Sequence, residues 1–288
     1  MSRFEDLLAE GASVPVEGWD FSWFEGRARA SKHGRAEGSE HPRAGGSEHP
    51  RATEERPPWG YARLLGQRMA ALATVPGATA LDLQTGGGEV LAAALTTGRA
   101  APPTLVATES WPPNLAVAQR NLAPLGARVV ALASPGSDLP FPDAAFDLVA
   151  SRHPVSVRWD EVARVLKPGG SYFSQDVGHG SVTELAEFMM GPSTPEPPSD
   201  GPNRAPKWSV LAAEQAGLTV VDLREFRGRM EFNDVAAVVV FLRKVVWIVP
   251  GFTVARYRDR LRALHEQIER GGPFTATTVR FLIEARQD

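Results

Sequence analysis

The sequence predicts an α/β protein with a Rossmann-like, doubly wound sheet. Three observations carry this reading. Strand-like runs alternate with helix-like runs through the middle of the chain. Those strands are rich in Val, Leu and Ala without clean alternation, as expected when both faces of a sheet are covered. The first of them, "TALDL" at 79–83, runs into three glycines, Gly86, Gly87 and Gly88. A glycine turn at the carboxyl end of a strand is where an open α/β sheet binds its ligand.

The elements follow in order. Residues 1–26 carry a short helix signal and then "EGWDFSWFEG", dense in aromatics. "GSEHPRA" occurs at 38–44 and again at 46–52. Such a composition cannot bury enough surface to offset chain entropy, so 28–51 is expected to be a flexible insertion within a cap segment, 1–58. A metal site built from His33, His41 and His49 is the sharper alternative, but it lacks a fixed scaffold. Pro57 and Pro58 precede a helical pattern at Leu64, Leu65, Met69 and Leu72. Further strands are expected at 104–109, 127–133, 146–152 and 171–178, with helices at 88–97, 114–123 and 158–166. "KPGG" at 167–170 reads as a turn. Beyond the proline-rich 191–206, a helix "KWSVLAAEQAG" leads to a strand at 218–226. Two helices, 233–247 and one from 254, form an insertion at about 233–271 before the closing strand "FTATTVRFLIEAR". Residues 59–288 thus read as one domain.

Composition narrows the function. The net charge is −3 and the pI about 6.1, which argues against a nucleic-acid partner. There is no cysteine, which excludes disulfides, thiolate metal sites and a cysteine nucleophile and fits a cytoplasmic protein. No apolar run reaches the roughly 18 residues a membrane span requires.

The glycine turn narrows the ligand. Glu89 follows Gly88 directly, at the start of the next helix. A carboxylate some 4 Å from a phosphate costs about 4 kcal/mol at an effective dielectric of 20. The spacing departs from "GxGxxG", and the lysine of a phosphate-binding loop is missing. A ligand without phosphate and with a cationic part fits, and S-adenosylmethionine is such a ligand. Glu109 ends the next strand, 27 residues after Asp82, where a carboxylate can accept hydrogen bonds from ribose hydroxyls.

"LDLQTGGGEV" (81–90), "SDLPFPDAAFDLVASR" (137–152) and "WDEVARVLKPGGSYF" (159–173) together resemble the class I S-adenosylmethionine-dependent methyltransferases. The resemblance covers roughly 60–230. It implies a seven-stranded sheet with an antiparallel last strand. It also implies a donor site of Asp82, Gln84, Gly86, Gly88, Glu109, Ser110, Ser137, Asp138, Leu139 and Ser151. Gln84 replaces the first glycine of the usual "DxGxGxG", and fits if its side chain points away from the donor. Pro135 stands where many relatives carry the aspartate that meets the adenine amine; Asp138, or the backbone around Gly136 and Ser137, is the substitute.

For the acceptor, His153 after the fourth strand is the candidate general base, and Arg152 beside it a candidate carboxylate ligand. Trp23, Trp59, Tyr61 and His179 are candidate pocket residues, within an aromatic group that also includes Trp19, Phe21 and Phe24. His265 reads as a solvated helix residue. No "NPPY"-type tetrapeptide follows the fourth strand, which removes the main signal for methylation of exocyclic amines. The expected function is methyl transfer to an O or N atom of a small metabolite. A ribosomal-RNA methyltransferase and a non-catalytic S-adenosylmethionine-binding protein are the alternatives.

Overall fold

The computed structural model describes residues 2–18, 21–25, 50–102, 104–192 and 205–288. Helix α1 (Arg3–Ser13) opens the chain, and strand β1 (Ala52–Glu54) follows. Then come α2 (Tyr61–Ala73), β2 (Thr79–Leu83), α3 (Glu89–Gly98), β3 (Thr104–Glu109), α4 (Pro112–Leu122) and β4 (Arg128–Ala131). The next elements are β5 (Phe146–Arg152), α5 (Trp159–Val165), β6 (Leu166–Val177), α6 (Thr183–Met190) and α7 (Pro206–Gln215). The chain closes with β7 (Leu218–Phe232), α8 (Val235–Lys244), α9 (Arg258–Gly271) and β8 (Phe274–Gln287).

All eight strands form one sheet in the order β1-β7-β8-β6-β5-β2-β3-β4. Strands β2 to β6 are mutually parallel, and β8 runs antiparallel between β6 and β7. This is the expected doubly wound sheet with its antiparallel last strand. Its strand count is corrected from seven to eight, because β1 adds an antiparallel edge to the far end of β7. "KPGG" does not precede its strand: it is a bulge within β6, where pairing jumps from Phe146–Leu166 to Leu148–Ser171 and Gly169 takes φ +77°. Helices α2 and α3 pack close because Gly66 and Gly98 face each other. A Cβ on Gly98 would stand 2.3 Å from the Gly66 carbonyl oxygen.

The helical insertion is core material rather than a surface arm. Every residue from Val235 to Leu242 is buried, the mark of a helix apolar on all sides. Asp234 caps it, accepting from the Ala237 N–H at 2.8 Å. Helix α1 lies on α8, with Phe4 and Leu8 in the same apolar cluster. Arg243 donates to the carbonyls of Gly11 and Val14 at 2.7 and 2.8 Å. The two ends of the chain therefore build one cap beside the sheet.

Residues 26–49, with His33, His41, His49 and most of the duplicated stretch, lie outside the described residues, as do Trp19 and 193–204. Arg51, at the end of the expected flexible insertion, is fixed. It pairs with Glu10 at 2.7 Å and Asp234 at 3.0 Å and lies 4.8 Å over the Trp23 ring.

Candidate functional site

The carboxyl ends of β2, β3 and β5 meet at the glycine turn. Gly86 and Gly88 take φ +64° and +79°, and a Cβ on Gly88 would press within 2.7 Å of Leu122. Only glycine suits that position. Glu89 folds back over the turn, its Oε1 2.3 Å from where a Cβ on Gly87 would stand. Gln84 also takes a left-handed φ, +53°.

Glu109 is buried and organises this corner. Its Oε2 accepts from the Gly86 N–H, and its Oε1 from the N–H groups of Ser110 and Trp111, each at 2.8 Å. Oε1 is saturated, while Oε2 keeps one lone pair for a further donor. Asp82, one strand over, is also buried. Burial pushes its pKa up to about 7; the Glu109 charge adds to this and the Thr85 hydroxyl opposes it.

The Gln84 side chain turns away from the turn and ties down the loop after β5. Its Nε2 donates to the Ser156 carbonyl at 2.6 Å, and its Oε1 accepts from the Val155 N–H at 2.7 Å. Beneath this bridge lies a narrow pocket lined by Gln84, Pro135, Ser137, Leu139, Ser151 and Ser156. Its volume, about 20 Å³, suits a single water. Asp138 instead pairs with Arg158 on the surface, at 3.3 Å. Ser151 donates to the Leu83 carbonyl at 2.9 Å, and its own carbonyl accepts from Tyr61 at 2.8 Å. The residues foreseen from sequence for the donor thus lie around the glycine turn and this narrow pocket, apart from Asp138, and the Gln84 bridge closes the pocket. Opening it breaks two hydrogen bonds of about 1 kcal/mol each. Gln84→Gly should remove that cost, keep the left-handed backbone and tighten binding of S-adenosylhomocysteine about thirtyfold by calorimetry. Weaker binding would show that the amide supports the ligand instead.

A larger cavity, of about 610 Å³, opens on the other side of the turn. Glu89 and Val90 line its near end, and Arg152, His153, Tyr61, Gln175 and Arg280 line the wall over the strand ends. Phe21, Phe24, Val182, Met230, Phe241 and Val245 supply an apolar face. Helix α8 and the aromatic segment therefore do meet at one cavity. Three of the foreseen pocket residues stand off it. Trp23 packs under Arg51 and against Phe24. Trp59 lies buried behind the wall. His179 is exposed in the turn after β6, because that turn carries the chain away from the strand ends. His265 packs against Phe4, ring centroids 5.4 Å apart, rather than standing in solvent.

His153 is held in one protonation state. The Trp59 indole N–H donates to Gln175 Oε1 at 2.7 Å, so the Gln175 amide nitrogen faces His153 Nε2, 3.1 Å away. An amide nitrogen only donates, so Nε2 accepts and the proton resides on Nδ1. Burial, with the charges of Arg152 and Arg280, holds the pKa of His153 well below the usual histidine value. The ring is neutral and its lone pair is occupied. His153 sits at φ +56°, in the left-handed region that histidine enters more readily than most side chains. Sequence reasoning missed Gln175 and Arg280, both on strands whose ends reach the site only through the sheet order.

Residues 81–174 match a family model described as a methyltransferase domain. All three sequence motifs fall inside that segment. A proposed methyltransferase from Bacillus halodurans is similar at 17% identity over 77% of this chain and 98% of the other, with a TM-score of 0.51. The YcgJ protein from Bacillus subtilis is similar at 18% identity over 78% and 98%, with a TM-score of 0.52. At these identities the likeness establishes the fold. A comparison with curated proteins gave no match.

Proposed function

We propose that this chain, with its methyltransferase domain at residues 81–174, methylates an O or N atom of a small molecule held in the large cavity. The cavity carries the proposal. Its volume of about 610 Å³ lies within the usual range of small-molecule sites, and it runs from the glycine turn to the end of β5. S-adenosylmethionine supplies an activated methyl group on a cationic sulfur.

The chain's own residues divide the work. Glu109, through the open lone pair of Oε2, accepts from a ribose hydroxyl. Glu89 and Asp82 place negative charge around the turn, which favours a cationic ligand. The walls from α8 and the aromatic segment exclude water and orient the acceptor, an effect worth up to roughly 7–11 kcal/mol in favourable cases. His153 offers an N–H rather than a base, so the attacking atom must bring its own lone pair. When bound, S-adenosylmethionine would supply the methyl group and leave as a neutral thioether, and an acceptor that must lose a proton would arrive deprotonated or lose that proton to water.

Calorimetry should show S-adenosylhomocysteine binding in the micromolar range, about −8 kcal/mol, and no binding of NAD. Mass spectrometry of cell extract incubated with protein and labelled donor should find a labelled small molecule. Turnover should change by about twofold or less between 50 and 200 mM salt, where an RNA enzyme loses binding steeply. Failure to bind S-adenosylhomocysteine, or label found only in RNA, would overturn this reading.

A further inference from the structure

The cavity contains a guanidinium that has no ion-pair partner among the described residues. Arg152 ends β5 and lines the wall. Its side chain forms no hydrogen bond or ion pair with any described residue. The acids that share the cavity are engaged elsewhere. Glu54 accepts from Arg280, Glu25 stands 3.9 Å from Arg56, and Glu89 folds over the glycine turn. The nearby cations make matters worse for Arg152. Burial, with Arg280 and Arg56 close by, pulls its pKa below the usual arginine value, although Tyr61 and Glu54 oppose this. Arg152 is half-buried, and a guanidinium so placed without an ion-pair partner among the described residues is answered by an anion in the cavity.

The neighbourhood also fixes what kind of anion. Four guanidiniums, of Arg56, Arg63, Arg152 and Arg280, share the cavity walls with three carboxylates, of Glu25, Glu54 and Glu89, and His153 is neutral, so the surplus is a single positive charge. A dianion such as a phosphate monoester would overshoot it, with Glu54 and Glu89 on the same walls. A carboxylate matches both the charge and the planar fork of arginine. The cavity also has an apolar lining, including Phe21, Phe24, Met230 and Phe241, which suits a hydrocarbon or aromatic body. We infer that the acceptor is an amphipathic monocarboxylate, its carboxylate held on Arg152 and its apolar body against the face formed by Phe24, Val182, Met230, Phe241 and Val245. This rests on the cavity being the acceptor site of the proposed methyltransferase.

The full chain can be titrated by calorimetry with 3-phenylpropionate, its primary amide and 2-phenylethylphosphonate. The acid should bind about tenfold or more tightly than the amide, and the phosphonate dianion no more tightly than the acid. Arg152→Met should abolish the preference for acid over amide. The melting temperature of that variant should hold or rise by a few degrees, because a half-buried charge without an ion-pair partner is gone. Arg152→Lys, which keeps the charge without the fork, should retain part of the preference. Equal binding of acid and amide, undetectable acid binding, a tighter phosphonate, or a preference that survives Arg152→Met would each overturn the inference. Binding of S-adenosylhomocysteine, measured separately, should be unchanged in Arg152→Met. Its absence in the parent chain would count against the methyltransferase reading and not against the acid preference.

Discussion

Glu109→Ala should weaken binding of S-adenosylhomocysteine by about 1.5–3 kcal/mol, roughly ten- to a hundred-fold, because charged hydrogen bonds are lost. It should also lower the stability of the protein without ligand by about 2–4 kcal/mol. The second effect arises from the three backbone N–H groups, of Gly86, Ser110 and Trp111, that the carboxylate holds. Their loss frees the glycine turn and the entry to α4 together. Glu109→Gln separates the two effects. Its single amide oxygen can still serve Ser110 and Trp111, while its nitrogen now faces the Gly86 N–H as donor to donor. Urea unfolding should therefore rank parent, glutamine, alanine, and calorimetry should show both variants impaired. An alanine variant that unfolds at a lower urea concentration yet binds with parental affinity would remove Glu109 from the ligand and leave it a purely structural residue.

Glu109 marks the depth to which the sequence could be read. Its position at a strand end was legible, because β3 is buried on both faces and its composition shows it. The turn glycines were legible for the same reason, since a strand running into Gly86–Gly88 has few other uses. What those residues touch was not legible. Gln84 bonds to the loop at 155–156, some 70 residues away, and nothing local announces it. His153 offered the right residue type at the right strand end. Its protonation is set by Gln175, and the orientation of Gln175 by Trp59, 116 residues from it in sequence. The residue type was legible, and the amide that meets its ring was not.

The same distinction runs through the fold. Strand β1 is three residues long, too short for any period to show, and it exists because β7 extends past β8's other neighbours. Helix α8 showed its apolar character but not its partner, since an all-apolar helix can serve a lid or a core equally. Contact with α1 decides it: a Cβ on Gly11 would lie 2.9 Å from the Ala236 carbonyl oxygen. That close approach places the chain's first helix, and hence the aromatic segment after it, beside the cavity. Trp23 and Trp59 were grouped with Tyr61 as aromatics near the sheet. Only Tyr61 has its ring over a strand end, stacked on Phe173 at 5.2 Å.

Asp82 should contribute a loss of stability as pH rises from about 4 to 7, opposed below about pH 6.5 by His153, whose lowered pKa makes stability rise with pH. The unfolded chain releases the Asp82 proton near pH 4, whereas the folded chain holds it to about pH 7. Between these values the folded state carries more protons, so raising the pH favours unfolding. The contribution is fully present below about pH 4 and gone above about pH 7. A shift of roughly 3 units corresponds to about 4 kcal/mol. Asp82→Asn, neutral at every pH, should remove the falling contribution, leave the rise set by His153, and be the more stable protein at pH 8. Urea unfolding at pH 5 and pH 8 measures both. A cationic ligand beside Asp82 should draw its pKa down again, so binding of S-adenosylmethionine near pH 6 should release a proton. Calorimetry in two buffers of different ionisation enthalpy detects that release, and Asp82→Asn should abolish it. A pH profile that is unaltered in Asp82→Asn would place the titrating group elsewhere. Proton release that persists in the variant would show that the ligand's charge is met by another acid, with Glu89 over the turn the first to examine.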